Sequence, residues 1–235
     1  MTVASLQQMK REGKKIVGVV AWDTQMAKIA ERAGADLVSA GDSVGVNLWG
    51  QEEDSITLDE MLVVCKAVRR GVKRALVSCD LPPRFVSVEN ARRLVGAGAD
   101  TVKVEAGPEV VRAIAHAGIR VFAEFHGGRP VKQLVEEARI LEAAGAVLLD
   151  FRHSGPEAGA AVAGAVSIPV LGGLGGGPWL DGRLRMAHAA IGYAASNVDS
   201  SAENYANVAR IALEALSAYA EDVRAARPLR GQRPA

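Results

Sequence analysis

Two aspartates, a lysine and a group of glutamates are the residues of this chain best suited to chemistry. Asp42 stands in Ala40-Gly41-Asp42-Ser43 and Asp80 in Ser78-Cys79-Asp80, each just after a short apolar run. Two such carboxylates offer hard oxygen ligands to an octahedral cation that keeps waters and accepts substrate oxygens, which suits Mg2+ better than zinc. Gly-Asp-Ser reads equally as a helix N-cap. In Thr101-Val102-Lys103-Val104-Glu105, strand alternation puts Lys103 and Glu105 on one face and the valines on the other. A core-facing lysine and glutamate are costly unless paired or functional, so they are either an ion pair filling the interior or part of a site. Asp23, Glu124, His126, Asp150, Arg152 and His153 end further apolar runs in the same way.

The elements that must position these groups repeat. Ala-Gly-x junctions at Gly34, Gly98, Gly118 and Gly145, with Gly71 in a similar part, end helical patterns and open β-rich runs. A glycine just past a helix relieves the left-handed cap, and the spacing is roughly 30 residues, one strand-helix unit. The predicted strands are Ile16 to Ala21, Leu37 to Ala40, Ala75 to Cys79, Thr101 to Glu105, Arg120 to Phe125, Val147 to Phe151, Val170 to Gly172 and Ile191 to Ala194. They are short and apolar, as parallel strands covered on both faces should be. Thr57-Leu58-Asp59-Glu60 is a capping box opening a helix to Arg70. The class is α/β, a (β/α)8 TIM barrel, and in that fold the C-terminal strand ends converge on one mouth where catalytic groups sit. A single domain over 1–226 is expected, closed by an amphipathic helix from Ala202 to Arg224 that completes the ring or packs on a neighbouring subunit. A flexible basic tail follows over 227–235.

The run Gly172 to Gly177 could bring backbone N–H groups to an anion, but without a Walker lysine it reads as a tight, mobile loop over the mouth. His116 and His188 lie in helical patterns and read as scaffold, and parity turns His153 toward the surrounding helices. With 28 basic against 27 acidic residues and 4% aromatics, the chain shows no nucleic-acid footprint, which leaves a small molecule as the ligand. Cys65 and Cys79 make neither a disulfide framework nor a zinc spacing, pointing to the reducing cytoplasm. No stretch approaches the ~20 apolar residues of a membrane span, and the N-terminus lacks a signal-type apolar region.

The chain resembles the ketopantoate hydroxymethyltransferase (3-methyl-2-oxobutanoate hydroxymethyltransferase) family, of the phosphoenolpyruvate/pyruvate superfamily. The similarity is carried by Val20-Ala21-Trp22-Asp23, Ala40-Gly41-Asp42-Ser43-Val44-Gly45, Thr57 to Met61 with Lys66 to Gly71, and Cys79-Asp80-Leu81-Pro82. It continues through Val102-Lys103-Val104-Glu105, Ile168-Pro169-Val170, Asp181-Gly182 and Tyr205-Ala206-Asn207-Val208. The resemblance implies Mg2+ on Asp42 and Asp80, a 2-oxo acid whose carboxylate is held by Ser43 and Lys103, and Glu105 supporting the metal shell through water or hydrogen bonds. It implies a one-carbon addition through a metal-bound enolate, with 5,10-methylenetetrahydrofolate as a possible donor, and a homo-oligomer.

Three departures stand out. The family's general base is a glutamate ending the sixth strand, where this chain has Arg152. A guanidinium accepts no proton near neutral pH. The family's Gly-His dipeptide on the fifth strand is Ala123-Glu124, with a histidine at His126, so that Glu124 is a candidate for the displaced base. The family's longer glycine-rich loop after that strand shrinks to Gly127-Gly128-Arg129-Pro130. Arg152 either balances Glu105, Glu124 or Asp150, or clamps a second anionic group of the substrate with its bidentate fork. A hydroxymethyl transferase is the first reading. A lyase or decarboxylase, which reaches an enolate without abstracting a C–H proton, and an inactive ligand-binding homologue are the others.

Overall fold

The structure, a computed structural model, describes residues 1–231. Eight parallel strands close into a barrel in sequence order. They are β1 (Ile16–Val20), β2 (Leu37–Ala40), β3 (Leu76–Asp80), β4 (Thr101–Glu105), β5 (Val121–His126), β6 (Ala146–Arg152), β7 (Val170–Gly172) and β8 (Gly182–Met186), with β8 pairing back on β1. Helices α1 (Val3–Arg11), α2 (Thr24–Arg32), the short α3 (Val44–Leu48), α4 (Leu58–Gly71), α5 (Val88–Gly96), α6 (Pro108–His116), α7 (Val131–Ala143) and α8 (Pro156–Ala165) complete this compact unit, residues 1–186. The capping box is formed: the Thr57 hydroxyl accepts the Glu60 N–H, and the Glu60 carboxylate accepts the Thr57 N–H.

Seven strands lie where the apolar runs place them, within a residue or two at the ends. The eighth does not. Residues 191–194 follow helix α9 (Ala187–Ala190) as a turn, with Gly192 at φ +64°, and the strand is instead Gly182-Arg183-Leu184-Arg185-Met186. Its arginines are exposed while Gly182 and Leu184 are buried, so it lacks the apolar run by which a strand covered on both faces is recognised. Gly182 hides it further. A Cβ there would collide with the Ile16 carbonyl oxygen, so the strand opens on the residue type that usually marks a turn.

Helix α1 precedes the first strand and buries Leu6. Lys10 donates to the carbonyls of Ala163 (2.7 Å) and Ile168 (3.0 Å) and to Asp181 Oδ2 (2.8 Å), which also accepts the Val170 N–H (2.8 Å). These bonds lie at the strand starts, opposite the mouth.

Residues from Ala187 onward form a second compact unit. Its long helix, α10 (Val208–Arg224), begins later than the expected Ala202, because the Asn207 side chain accepts the Arg210 N–H as an N-cap. Asp222, nearly buried, binds Arg227 at 2.9 Å and Arg230 at 3.5 Å. These pairs join the described part of the basic tail to α10, and residues 232–235 lie outside the described residues.

Candidate active site

Parity and register build the site. Phe125 of β5 and Phe151 of β6 are neighbours in register and stack at 4.4 Å with their planes 6° apart. Strand alternation then sends Glu124, His126, Asp150 and Arg152 to the opposite face, the barrel interior. The register sets Asp80 beside Lys103, Glu124 between Glu105 and Asp150, and His126 beside Arg152.

Lys103 is the hub. Its ammonium lies 2.7 Å from Glu124 Oε2, 3.0 Å from Asp150 Oδ2 and 3.5 Å from Asp80 Oδ2. Glu124 Oε1 accepts from Arg152 Nη1 at 2.7 Å. His126 Nε2 stands 3.2 Å from Glu105 Oε1 and 3.3 Å from Glu124 Oε1. Asp150 Oδ1 accepts the Gly173 N–H at 2.9 Å, and Asp80 Oδ1 accepts weakly from Ser39 Oγ at 3.3 Å.

Burial and charge divide the carboxylates. Asp80 is pushed up to about 7 by burial, with Asp42, Glu124 and Asp150 adding to the rise and Lys103 opposing it. Burial also raises Asp42, again against the pull of Lys103. Burial would raise Glu124 too, but the Lys103 ammonium and the Arg152 guanidinium outweigh it and bring that carboxyl down to about 2. Burial disfavours the Lys103 charge, yet Asp80, Asp150 and Glu124 hold the ammonium well above the ordinary lysine value. Among the described residues, the carboxylates of Asp42, Asp80, Glu105, Glu124 and Asp150 thus have Lys103 and Arg152 as the permanent cations paired or interacting with them.

That surplus of negative charge is what a divalent cation would relieve, and the residues present fit one. Asp42 and Asp80 are both raised by burial, and the Asp80 oxygens make long contacts, 3.3 Å to Ser39 and 3.5 Å to Lys103. Glu105, Glu124 and His126 also bring donor atoms within 4.8 Å of one another. There, however, both Glu124 oxygens already serve Lys103 and Arg152. Asp42 does not act as a cap, since Ser43 occupies the N-cap of α3 without a side-chain bond. The Ser43 hydroxyl rests on Met186 Sδ at 3.8 Å, a weak contact that a carboxylate could replace.

Several sequence expectations are refined. Asp23 serves as the N-cap of α2, accepting from the Gln25 and Met26 amides. Lys103 pairs with Asp80, Glu124 and Asp150, while Glu105, half-exposed, stands against His126. Glu124 is too weakly basic, at about 2, to be an effective proton acceptor. Arg152 does balance Glu124, and its side chain remains 33% exposed. His153 adopts φ +51°, which ends the strand's alternation and leaves its ring 6.4 Å from that of His126. The glycine-rich loop is tethered, by Gly173 to Asp150 and by the Leu174 carbonyl to the His153 N–H at 2.8 Å. Asp150 and His126 join the cluster, although the sequence assigns them no role beyond ending their strands. Parity marks them, two positions before Arg152 and two after Glu124.

Residues 1–130 and 126–227 match the ketopantoate hydroxymethyltransferase family. The 3-methyl-2-oxobutanoate hydroxymethyltransferase of Geobacillus kaustophilus (strain HTA426) is 35% identical, over 92% of this chain and 87% of that one. The chain is a member of the ketopantoate hydroxymethyltransferase family. With that it is a transferase-type enzyme, and Glu124 and Arg152, where the resemblance leads one to expect other residues, fall inside the charged cluster. Among solved structures, a phosphonopyruvate hydrolase in complex with oxalate and Mg++ shares the fold at TM-score 0.67 and 16% identity, covering 100% of this chain and 92% of that one. A 2,3-dimethylmalate lyase of the PEP mutase/isocitrate lyase superfamily does so at 0.65 and 15%, covering 99% and 91%. Among the described residues of this family member, no helix is long and apolar enough to cross a membrane.

Proposed function

We propose that the barrel mouth takes up Mg2+ and a 2-oxo acid and adds a hydroxymethyl unit to the carbon beside the ketone. The observation that carries this reading is the excess of buried carboxylate around Asp42 and Asp80, within a chain of this family. Asp42 and Asp80 would hold the ion, which supplies Lewis acidity toward the keto group. Lys103 and Ser43 hold the substrate carboxylate, Lys103 with a charge that its own partners secure and Ser43 with a hydroxyl that gives up only a thioether contact. Glu105 sits at the rim, half-exposed, where it can hydrogen-bond water of the ion's shell. The exposed part of Arg152 is placed to hold a second anionic group, so the preferred acid is dianionic. A carrier of the 5,10-methylenetetrahydrofolate kind would bring the one-carbon unit.

A lyase reading is favoured by one observation: the end of β6 presents an arginine bonded to a strongly acidic glutamate, so this pair provides no base for C–H abstraction. Cleavage of a C–C bond would generate an enolate without one. Incubation of the protein with Mg2+ and 2-oxo acids in D2O separates the readings. Deuterium uptake beside the ketone supports hydroxymethyl transfer, and release of pyruvate or CO2 from a larger acid supports the lyase. Binding without either supports a ligand-binding homologue and overturns the enzymatic reading.

Exposed Leu216, Tyr219 and Val223 share one face of α10, at i, i+3 and i+7, and we assign this face to a second copy of the chain. Cys65 and Cys79 are both free thiols, in keeping with a cytoplasmic protein.

A further inference from the structure

We infer that His126 is the proton-transfer group of this site, taking over at the end of β5 the task for which the end of β6 has no acceptor. The inference rests on the 2-oxo acid reading above. It comes from elimination combined with geometry. Arg152 cannot accept a proton. Glu124 has one oxygen on Arg152 and the other on Lys103, each at 2.7 Å. Asp150 is fully buried, with one oxygen on the Gly173 amide and the other on Lys103. Asp42 and Asp80 are reserved for the ion.

His126 differs from all of these. It lies on the interior face of β5, two residues past Glu124, and its side chain is 39% exposed, so a ligand in the mouth can reach it. Its Nε2 is itself shut off from solvent and lies 3.2 Å from Glu105 Oε1 and 3.3 Å from Glu124 Oε1, close to both carboxylates but without hydrogen-bond geometry to either. Carboxylates accept and never donate when ionised, so they draw the imidazole proton to Nε2 and leave the lone pair on Nδ1. Two carboxylate oxygens this close favour the tautomer with the proton at Nε2 and turn the ring's basic nitrogen away from them. In the step assigned to it, the C–H bond beside the ketone breaks and its proton forms an N–H bond at Nδ1. The electron pair becomes the C=C bond of the enolate, and the charge moves to the former keto oxygen. The imidazolium then returns the proton to solvent or to the product. Glu105 is a positioning residue in this scheme, acting only through His126.

Two measurements test it. Nitrogen-15 NMR of the ligand-free protein should show neutral His126 as the Nε2–H tautomer, and Glu105→Gln should shift it toward a mixture. A predominant Nδ1–H form overturns the assignment whatever the enzyme turns over. In D2O with Mg2+ and a 2-oxo acid, His126→Gln should slow deuterium uptake by about 10²- to 10⁴-fold, the usual yield of a positioned acid–base group. Substrate affinity should stay within about threefold, and added imidazole should restore part of the rate. Uptake that persists in His126→Gln overturns the inference and leaves hydroxymethyl transfer standing. A rate loss matched by an equal loss of binding, or a wild-type protein that binds the acid without any uptake, overturns it as well, and the latter removes the parent reading too.

Discussion

Arg152 Nη1 donates to Glu124 Oε1 across 2.7 Å, joining two of the three departures that the family resemblance marks. The substitutions are one unit. A glutamate at the end of β5 is tolerable because an arginine stands beside it on β6, and the arginine is held over the mouth by that glutamate.

Replacing Arg152 with Gln keeps a donor but removes the charge. For a dianionic 2-oxo acid, KM should rise at least about tenfold, equivalent to about 1.4 kcal/mol. For a monoanionic acid such as 2-oxo-3-methylbutanoate it should change little. Equal KM changes for both acids would remove the anion clamp.

The low value of Glu124 has a stability consequence of definite sign. Its carboxyl sits at about 2 in the folded protein against an ordinary 4.5. The unfolded chain therefore binds the proton first as pH falls, so the stabilisation is complete above about 4.5 and disappears as pH drops through about 2. Comparing denaturation of wild type and Glu124→Gln between pH 2 and 7 should show a gap that is full at neutral pH and closes in acid. The gap should reach about 3 kcal/mol, the scale of breaking a buried pair. A gap independent of pH would mean that the difference arises from packing instead of charge.

Asp42 and Asp80 are predicted to hold Mg2+ even without substrate. Titration calorimetry should find binding in wild type and a loss of more than tenfold in Asp80→Asn and in Asp42→Asn. If Glu105→Gln or His126→Gln abolishes binding while Asp80→Asn retains it, the ion belongs to the Glu105, Glu124 and His126 group.

The apolar stripe of α10 should hold subunits together. Leu216→Glu combined with Tyr219→Lys should lower the mass measured by light scattering while leaving the circular dichroism of the barrel intact. An unchanged mass would place the subunit contact elsewhere.

The barrel itself was readable because helix-end glycines and valine-rich runs recur with one period. What failed was β8, where Arg183 and Arg185 point to an exposed side and the apolar signal vanishes. In the site, alternation put Lys103 and Glu105 on one face, and Glu124 and Arg152 were marked by standing at the ends of apolar runs. It could not say which oxygen each cation would choose, because that depends on the stagger between strands. Lys103 thus passes over Glu105, its near neighbour in sequence, for Glu124 and Asp150 on the next strands. His153 escaped parity for a local reason, its positive φ at the point where the strand ends.

The bonds of Lys10 carry a further meaning for how the ring is sealed. The β1–β8 seam unites the most distant strands in the sequence, and such non-local pairings form late because loop entropy opposes them. Asp181, the residue just before β8, is caught by a lysine from a helix that precedes β1, and the same lysine grips the carbonyls on either side of the turn into β7. The N-terminal helix therefore works as a latch, tying the entry of the last strand to the entry of β7 and so helping to hold closed the ring on which the charged residues at the far end are mounted.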